Sequence, residues 1–364
     1  MAIAQTAEDL RHSPPGRFTE SILRGVGQIF LQDNPITGAL ILLGIFLSSW
    51  QAGIYAAIGT IVATGTAMLL GVRRQSIDHG LYGFNGTLVA IDLSFYLRND
   101  WHLVAFVVVA SAMSSVAAAA LQNFLGSDHI PTLTGAFVGT TWLFLAALKQ
   151  FANLTASRTQ VIQAHLPREV TGRGGAPQAT DLLTGFFNGF SEVVLQSGVW
   201  TGIAILLGIL INSRISAAAA AVGSLVGFGT AWALGFPVDT MAGGLAGYNS
   251  VLTVIALGGL YYLFSVRSAL FAVFGGIVTV VALGALNTIL APVGLPVVTA
   301  PFVLTTWVCI FAASSLKSLR PIHPHDVTTP EGNLKSTGRR WSSTILRRPG
   351  QSGGPETPDD GRRQ

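Results

Sequence analysis

A single offset runs through this chain. The stretch Gly25-Val26-Gly27-Gln28-Ile29-Phe30-Leu31-Gln32 recurs 164 positions later as Gly189-Phe190-Ser191-Glu192-Val193-Val194-Leu195-Gln196. The same shift carries TGALILLGIFL from Thr37 onto TGIAILLGILI from Thr201. It also lays Gly59, Gly65 and Gly71 on Gly223, Gly229 and Gly235, and Gly80–Asn85 on Gly244–Asn249. After a slip of one residue, Pro131–Thr134 meets Pro296–Thr299 and Trp142 meets Trp307. Chance similarity between Gly- and Ala-rich helices would not keep register through a whole half. The chain is two copies of one unit, and its fold has to be built from both.

Composition says what solvent the unit meets. Half of the 364 residues are hydrophobic and 10% are charged, against about 25% charged in soluble domains. Residues 36–72 contain no Asp, Glu or Lys. Too few polar side chains exist to coat a water-facing surface, and lipid is the solvent that explains this. Each unit holds five apolar segments near the roughly 20 residues a spanning helix needs. In the first they are 36–50, 53–71, 82–97, 102–122 and 131–148; in the second 199–211, 217–236, 246–264, 267–290 and 299–315. A shorter mixed segment precedes each set, 19–32 and 183–197, and carries Gln28 or Glu192. Such a segment enters the membrane only if protein or a water-filled path surrounds it. Five crossings is an odd number, so the second unit starts on the opposite side and is inverted.

The expected fold is therefore an all-α polytopic membrane protein. It has two inverted-topology homologous halves, each with about five transmembrane helices plus one half-membrane re-entrant segment. The expected divisions are a cytoplasmic N-terminal segment 1–18, a first membrane repeat 19–149, an extramembrane linker 150–181, a second repeat 182–320, and a disordered cytoplasmic tail 321–364. The tail is rich in Pro, Gly, Arg, Ser and Thr without apolar periodicity, and His323 and His325 are read as solvated there rather than metal-bound. With the N-terminus inside, Arg73, Arg74, Arg214, Arg267, Lys317 and Arg320 fall on the cytoplasmic side, and Arg98 and Lys149 outside. Both termini are expected in the cytoplasm, and the chain in the cell (inner) membrane.

Several chemistries are excluded. Cys309 is the only cysteine, so neither an internal disulfide nor a Cys-based metal site can form. No Ser/His/Asp set, CxxC, HExxH or P-loop occurs, which argues against an enzyme and against a bound cofactor. The net charge of +4 comes in part from the tail, says little about the membrane part and does not suggest a nucleic-acid partner. The polar N-terminus lacks a hydrophobic stretch with a small-residue cleavage site, so no cleavable signal peptide is expected.

Candidate sites are few because polar residues inside a membrane are expensive. Gln28 and Glu192 occupy equivalent repeat positions, either as solute-binding groups or as groups that tie down broken helices. Thr134 and Thr299 each follow a proline by three residues; each either faces a pathway or bonds its own i−4 carbonyl. Phe84 with Leu88, and Tyr248 with Leu252, share one helix face at i, i+4, and the nearby glycines allow that face to look into the bundle. Asn85 and Asn249 read as helix-tying side chains, while Asp78, His79 and Asp239 read as water-facing with no specific role. Asp92 has Ala256 as its counterpart and receives no role.

At these residues the chain resembles the urea transporter family. The resemblance rests on NPITGALILLG (Asn34–Gly44), HGLYGFNGTLV (His79–Val89), GGLAGYN (Gly243–Asn249) and LPVVTAPFVLTTW (Leu295–Trp307), and covers about residues 20–316. It implies passive urea conduction through a pore in each protomer of a homotrimer. It implies a slot walled by Phe84, Leu88, Tyr248 and Leu252, flanked by Gln28 and Glu192, with Thr134 and Thr299 as mid-pore hydroxyls. Leu31 and Leu195 stand where some members carry an aromatic, and so bear on slot width. Two alternatives stay open: a channel for ammonia or short amides, and a proton- or ion-coupled carrier using Glu192.

Overall fold

The computed structural model describes residues 13–126, 130–154, 176–322 and 327–337. Several of its helices begin where the sequence supplies caps. Ser13 accepts from the Gly16 amide and starts α1 (Pro14–Gln28), and Asn34 accepts from Ile36 and Thr37 to start α2 (Pro35–Ser48). A proline opens each, at a position where no amide proton is needed. Ser49 caps α3 (Trp50–Leu69), and the short α4 (Arg74–Asp78) leads to α5 (Gly83–Tyr96). Asp100 caps α6 (Trp101–Leu125), and α7 (Gly135–Ala147) closes the first half. The second half repeats the order: α8 (Ala179–Ser191), α9 (Val199–Asn212), α10 (Arg214–Ala233), α11 (Val238–Ala242), α12 (Tyr248–Ile255), α13 (Val266–Leu290) and α14 (Ala300–Phe311).

Among the described residues no strand forms, only isolated bridge positions such as Tyr262 with Pro321. Large apolar side chains such as Leu69, Phe124, Trp200 and Val266 stand on the outside, 76–90% exposed. With this much apolar surface outward, and with helices long and apolar enough to cross a bilayer, the chain is an all-α polytopic membrane protein. Four helices have that length: α3, α6, α10 and α13. A fifth candidate is α8 with α9, bent by 73° at its break.

All ten apolar segments appear as helices, yet α2, α5, α7, α9 and α14 run only 12–14 residues. At 1.5 Å per residue each is about 20 Å long, short of the ~30 Å hydrocarbon core. For α7 and α14 the reason lies in the non-helical residues ahead of them. Pro131–Thr134 and Pro296–Thr299 stay outside the helices that follow.

The two halves meet through reciprocal contacts. Thr37 Oγ1 donates to the Gly208 carbonyl at 2.7 Å, and Thr201 Oγ1 to the Gly44 carbonyl at 3.0 Å. Trp142 Nε1 donates to Pro296 O at 2.7 Å, and Trp307 Nε1 to Pro131 O at 3.0 Å. Each pair exchanges the roles of repeat-related residues, which is what a two-fold relation between like surfaces produces.

The tail departs from the expected disorder. Residues 330–337 form a helix, α15, with Pro330 and Asn333 buried. Thr329 caps it, accepting the Gly332 amide on Oγ1, ahead of Pro330 at the first helical position. Glu331 accepts from the Ile215 amide at 2.9 Å and from Ser213 Oγ at 2.7 Å, at the start of α10. Asn333 Nδ2 donates to Gly259 O at 3.2 Å and Leu260 O at 3.4 Å, beside the π-helical stretch Ala256–Leu260 that ends α12. A π turn disturbs the regular hydrogen-bond ladder, and the tail supplies partners there. Residues 1–12, most of the 150–181 linker, His323 and His325, and 338–364 lie outside the described residues.

Candidate functional site

Gln28 and Glu192 each sit where a helix stops. Behind Gln28 the chain turns with Leu31 N bonded to Gln28 O (2.9 Å) and Gln32 N to Gly27 O (3.1 Å). Behind Glu192 the same two bonds recur, Leu195 N to Glu192 O (3.0 Å) and Gln196 N to Ser191 O (3.1 Å). This six-to-one, five-to-two pattern puts its fifth residue in the left-handed region, where glycine is usual. Here it is leucine, with φ of 61° at Leu31 and 57° at Leu195.

A second pair of breaks precedes α7 and α14. Leu133 and Val298 also take positive φ, 49° and 43°, a conformation that is a genuine outlier for a β-branched residue. Strain of about 1–3 kcal/mol per such residue persists only where the surroundings impose it, and it clusters at functional sites. All four positions are repeat-related, two and two. Leu133 and Val298 had no signal in the sequence, since neither is glycine; the Pro-x-x-Thr pattern marked only their neighbours.

Those neighbours meet. Thr134 Oγ1 and Thr299 Oγ1 lie 2.7 Å apart, both buried. They bond each other across the halves rather than their own i−4 carbonyls. A hydroxyl pair uses one of its two protons internally, so one O–H donor and several lone pairs are left over.

The residues just before them, Leu133 and Val298, belong to an apolar cluster. Phe84, Leu88, Tyr248 and Leu252 are buried in one continuous core cluster with Leu133 and Val298, and Leu31 and Leu195 pack against it. The aromatics differ in one respect: Tyr248 donates its hydroxyl to Val298 O, and Phe84 has no hydroxyl to offer Leu133. Asn85 and Asn249 do tie helices, accepting from the amides of Phe137 (2.9 Å) and Phe302 (3.2 Å) at the first turns of α7 and α14.

The polar flanks are unlike. Gln28 Nε2 donates to the His79 carbonyl at 2.9 Å, which leaves Oε1 as the free acceptor. The Glu192 carboxylate has no hydrogen-bond donor among the described residues, and lies within electrostatic range of the Tyr248 phenol. Asp92 is 3% exposed and its Oδ2 has no partner among the described residues. It shares that electrostatic range. His79 was passed over in the sequence as a residue without a role; its carbonyl holds Gln28 and its imidazole pairs with Asp33. Asp78 pairs with Arg74 at 3.0 Å. No cluster of metal-ligating side chains occurs among the described residues.

Bond acceptors at Gln28 and Glu192, a hydroxyl pair between the halves and apolar walls form a set that suits a small, flat, polar and neutral solute. Comparison with known proteins points the same way. The family described as "Urea transporter" matches residues 19–314. "Urea transporter 1" of Ovis aries is 30% identical over 330 residues, covering 89% of this chain and 85% of that protein. "Urea transporter 1" of Capra hircus is 29% identical over the same shares, and that of Rattus norvegicus 29% over 320 residues, 87% of this chain and 83% of that protein. The family match spans both repeats and every element of the site, and the chain belongs to the urea transporter family.

Proposed function

We propose that the chain conducts urea passively, through a pathway between its two halves in each protomer of a homotrimer. The halves are inverted with respect to the membrane, and both termini lie in the cytoplasm of a cell whose inner membrane holds the protein. The observation that carries this reading is the Thr134–Thr299 hydroxyl pair, joined across the halves at 2.7 Å between walls of Phe84, Leu88, Tyr248 and Leu252.

Urea is planar, uncharged and strongly dipolar, with four N–H donors and one carbonyl. Leaving water without replacement bonds would cost it several kcal/mol per amide group. Gln28 Oε1, the threonine oxygens and the Glu192 carboxylate are acceptors that offset this loss, and none forms part of a buried ion pair. Apolar faces hold the plane of the molecule, and aromatic faces accept N–H contacts weakly. Leu31 and Leu195 bound the slot at its two helix ends. Net charge is not needed anywhere on such a path, so flux is downhill and independent of ion gradients.

One observation favours a second reading. The Glu192 carboxylate lacks a donor among the described residues, which is how a proton-coupling group would also stand. Influx of labelled urea into proteoliposomes separates the two. The channel gives flux linear in the urea gradient, unchanged by imposed proton or sodium gradients. Uphill accumulation under either gradient would establish the carrier instead.

A further inference from the structure

The repeat makes the two ends of the site directly comparable, and they are built differently. In the second half a single neutral side chain joins three segments. Asn188, in α8, donates from Nδ2 to Ala242 O at 2.8 Å and accepts the Gly198 amide on Oδ1 at 2.9 Å. It thereby ties the helix before Glu192 both to the chain break after it and to the loop leading to α12.

In the first half the residue at that position is Arg24. Its guanidinium reaches Asp33 at 2.6 Å and Glu20 at 2.8 Å. The second carboxylate oxygen of Asp33 takes His79 Nδ1. Glu20, Asp33 and His79 correspond to Thr184, Ser197 and Gly243. An ion relay thus spans the same three segments that Asn188 spans alone. The loop it holds is close to its neighbour: Gly80 has φ of 71°, and a Cβ there would overlap the Gly25 backbone.

We propose that Asp33 and His79 are positioning residues for Gln28. The relay fixes the 78–80 loop so that the His79 carbonyl takes Gln28 Nε2, which turns Oε1 toward the pathway as an acceptor. A carboxamide released from this bond can turn over and present N–H groups instead, which cannot accept from urea. Glu192 has oxygen on both arms, so either rotation presents an acceptor, and its half works with a neutral tie. This inference rests on the pathway reading given above.

The test uses full-length protein in proteoliposomes and two permeants, urea and acetamide. Urea carries two NH₂ groups and acetamide one, so losing a correctly turned acceptor penalises urea more. Asp33→Asn, Asp33→Ala and His79→Ala are each measured in the parent and in a Gln28→Ala background. His79→Ala keeps the carbonyl and removes only the imidazole. We expect urea flux per protein to fall by about three- to tenfold, the worth of one hydrogen bond, with the urea-to-acetamide ratio falling too. In the Gln28→Ala background the same changes should do nothing further, because their target is gone. The combined Arg24→Asn, Asp33→Ser and His79→Gly variant, which copies the second half, should restore part of the ratio. Parallel loss of both fluxes, or further loss in the Gln28→Ala background, would mean that the relay is only structural and would overturn this inference alone. Normal urea flux in Gln28→Ala itself would overturn both the pathway reading and this inference.

Discussion

The Thr134–Thr299 pair allows transport to be separated from folding in a single series of variants. Thr299→Val keeps the side-chain shape and removes only the hydroxyl. The Thr134 hydroxyl, 3% exposed, then loses the partner it had at 2.7 Å. A buried polar group left unsatisfied costs about 1–3 kcal/mol, so the single variant should melt lower in detergent. A permeating urea loses one hydrogen bond at the same place. At about 0.5–1.5 kcal/mol its flux should fall roughly two- to twelvefold. Thr299→Ser keeps the oxygen and should retain most of both. The decisive variant carries Thr134→Val and Thr299→Val together. Replacing both partners by apolar groups of the same shape is nearly neutral for stability, so the melting temperature should return toward the parent. Flux should not return, since the proposed pathway then has no hydroxyl from either threonine. Stopped-flow light scattering on proteoliposomes with quantified protein, alongside thermal unfolding, reads both quantities. A double variant that recovers flux together with stability would refute the hydroxyl's role and leave the pair as a packing contact.

Glu192→Ala should lower urea flux more than Gln28→Ala at equal expression, because an ionised acceptor makes bonds about twice as strong as a neutral one; Glu192→Gln should fall between the parent and Glu192→Ala. Parent-like flux in Glu192→Ala would remove Glu192 from the site. At the tail, burial pushes the Glu331 carboxyl up, but hydrogen bonds from the Ile215 amide and Ser213 outweigh it and hold the group below the usual glutamate value. The stability it contributes is therefore complete above the ordinary glutamate range and is lost as pH falls through the lowered folded value. Thermal unfolding across that acidic window should show a drop in the parent that Glu331→Gln, already destabilised at neutral pH, lacks.

Most of the fold was legible because the repeat and the missing charge are long-range features of the sequence. The ten apolar segments became ten helices, and the pairs at 28/192 and 134/299 fall at equivalent breaks. Segment lengths misled where Pro131 and Pro296 lead into non-helical turns, since hydropathy does not register a local loss of helix. Within the tail, the helix at 330–337 escaped the composition for a different reason. Its composition is that of a disordered segment, while the local signal Thr329-Pro330-Glu331, a cap followed by Pro and an acid, was helical. Its partners, the α10 start and the Gly259 and Leu260 carbonyls, lie more than 70 residues away along the chain and leave no local trace. His79 was overlooked because its contribution to Gln28 comes from its backbone carbonyl, which every residue type possesses.

The four left-handed residues bear on why the site is built from these side chains. Leu31, Leu195, Leu133 and Val298 hold a conformation that glycine adopts freely, so the backbone alone would be better served by glycine at each. Their side chains must return more than the strain they impose. Leu133 and Val298 are buried in the cluster that contains Phe84, Leu88, Tyr248 and Leu252, and Leu31 and Leu195 pack against it. Glycine at these points would relax the turns and leave gaps beside the walls, each costing the packing contacts of the missing side chain. In the proposed pathway, a slot that discriminates by width would not tolerate such gaps. The duplicated strain is therefore best understood as the consequence of needing apolar bulk at a sharp break in the chain, at equivalent repeat positions in both halves.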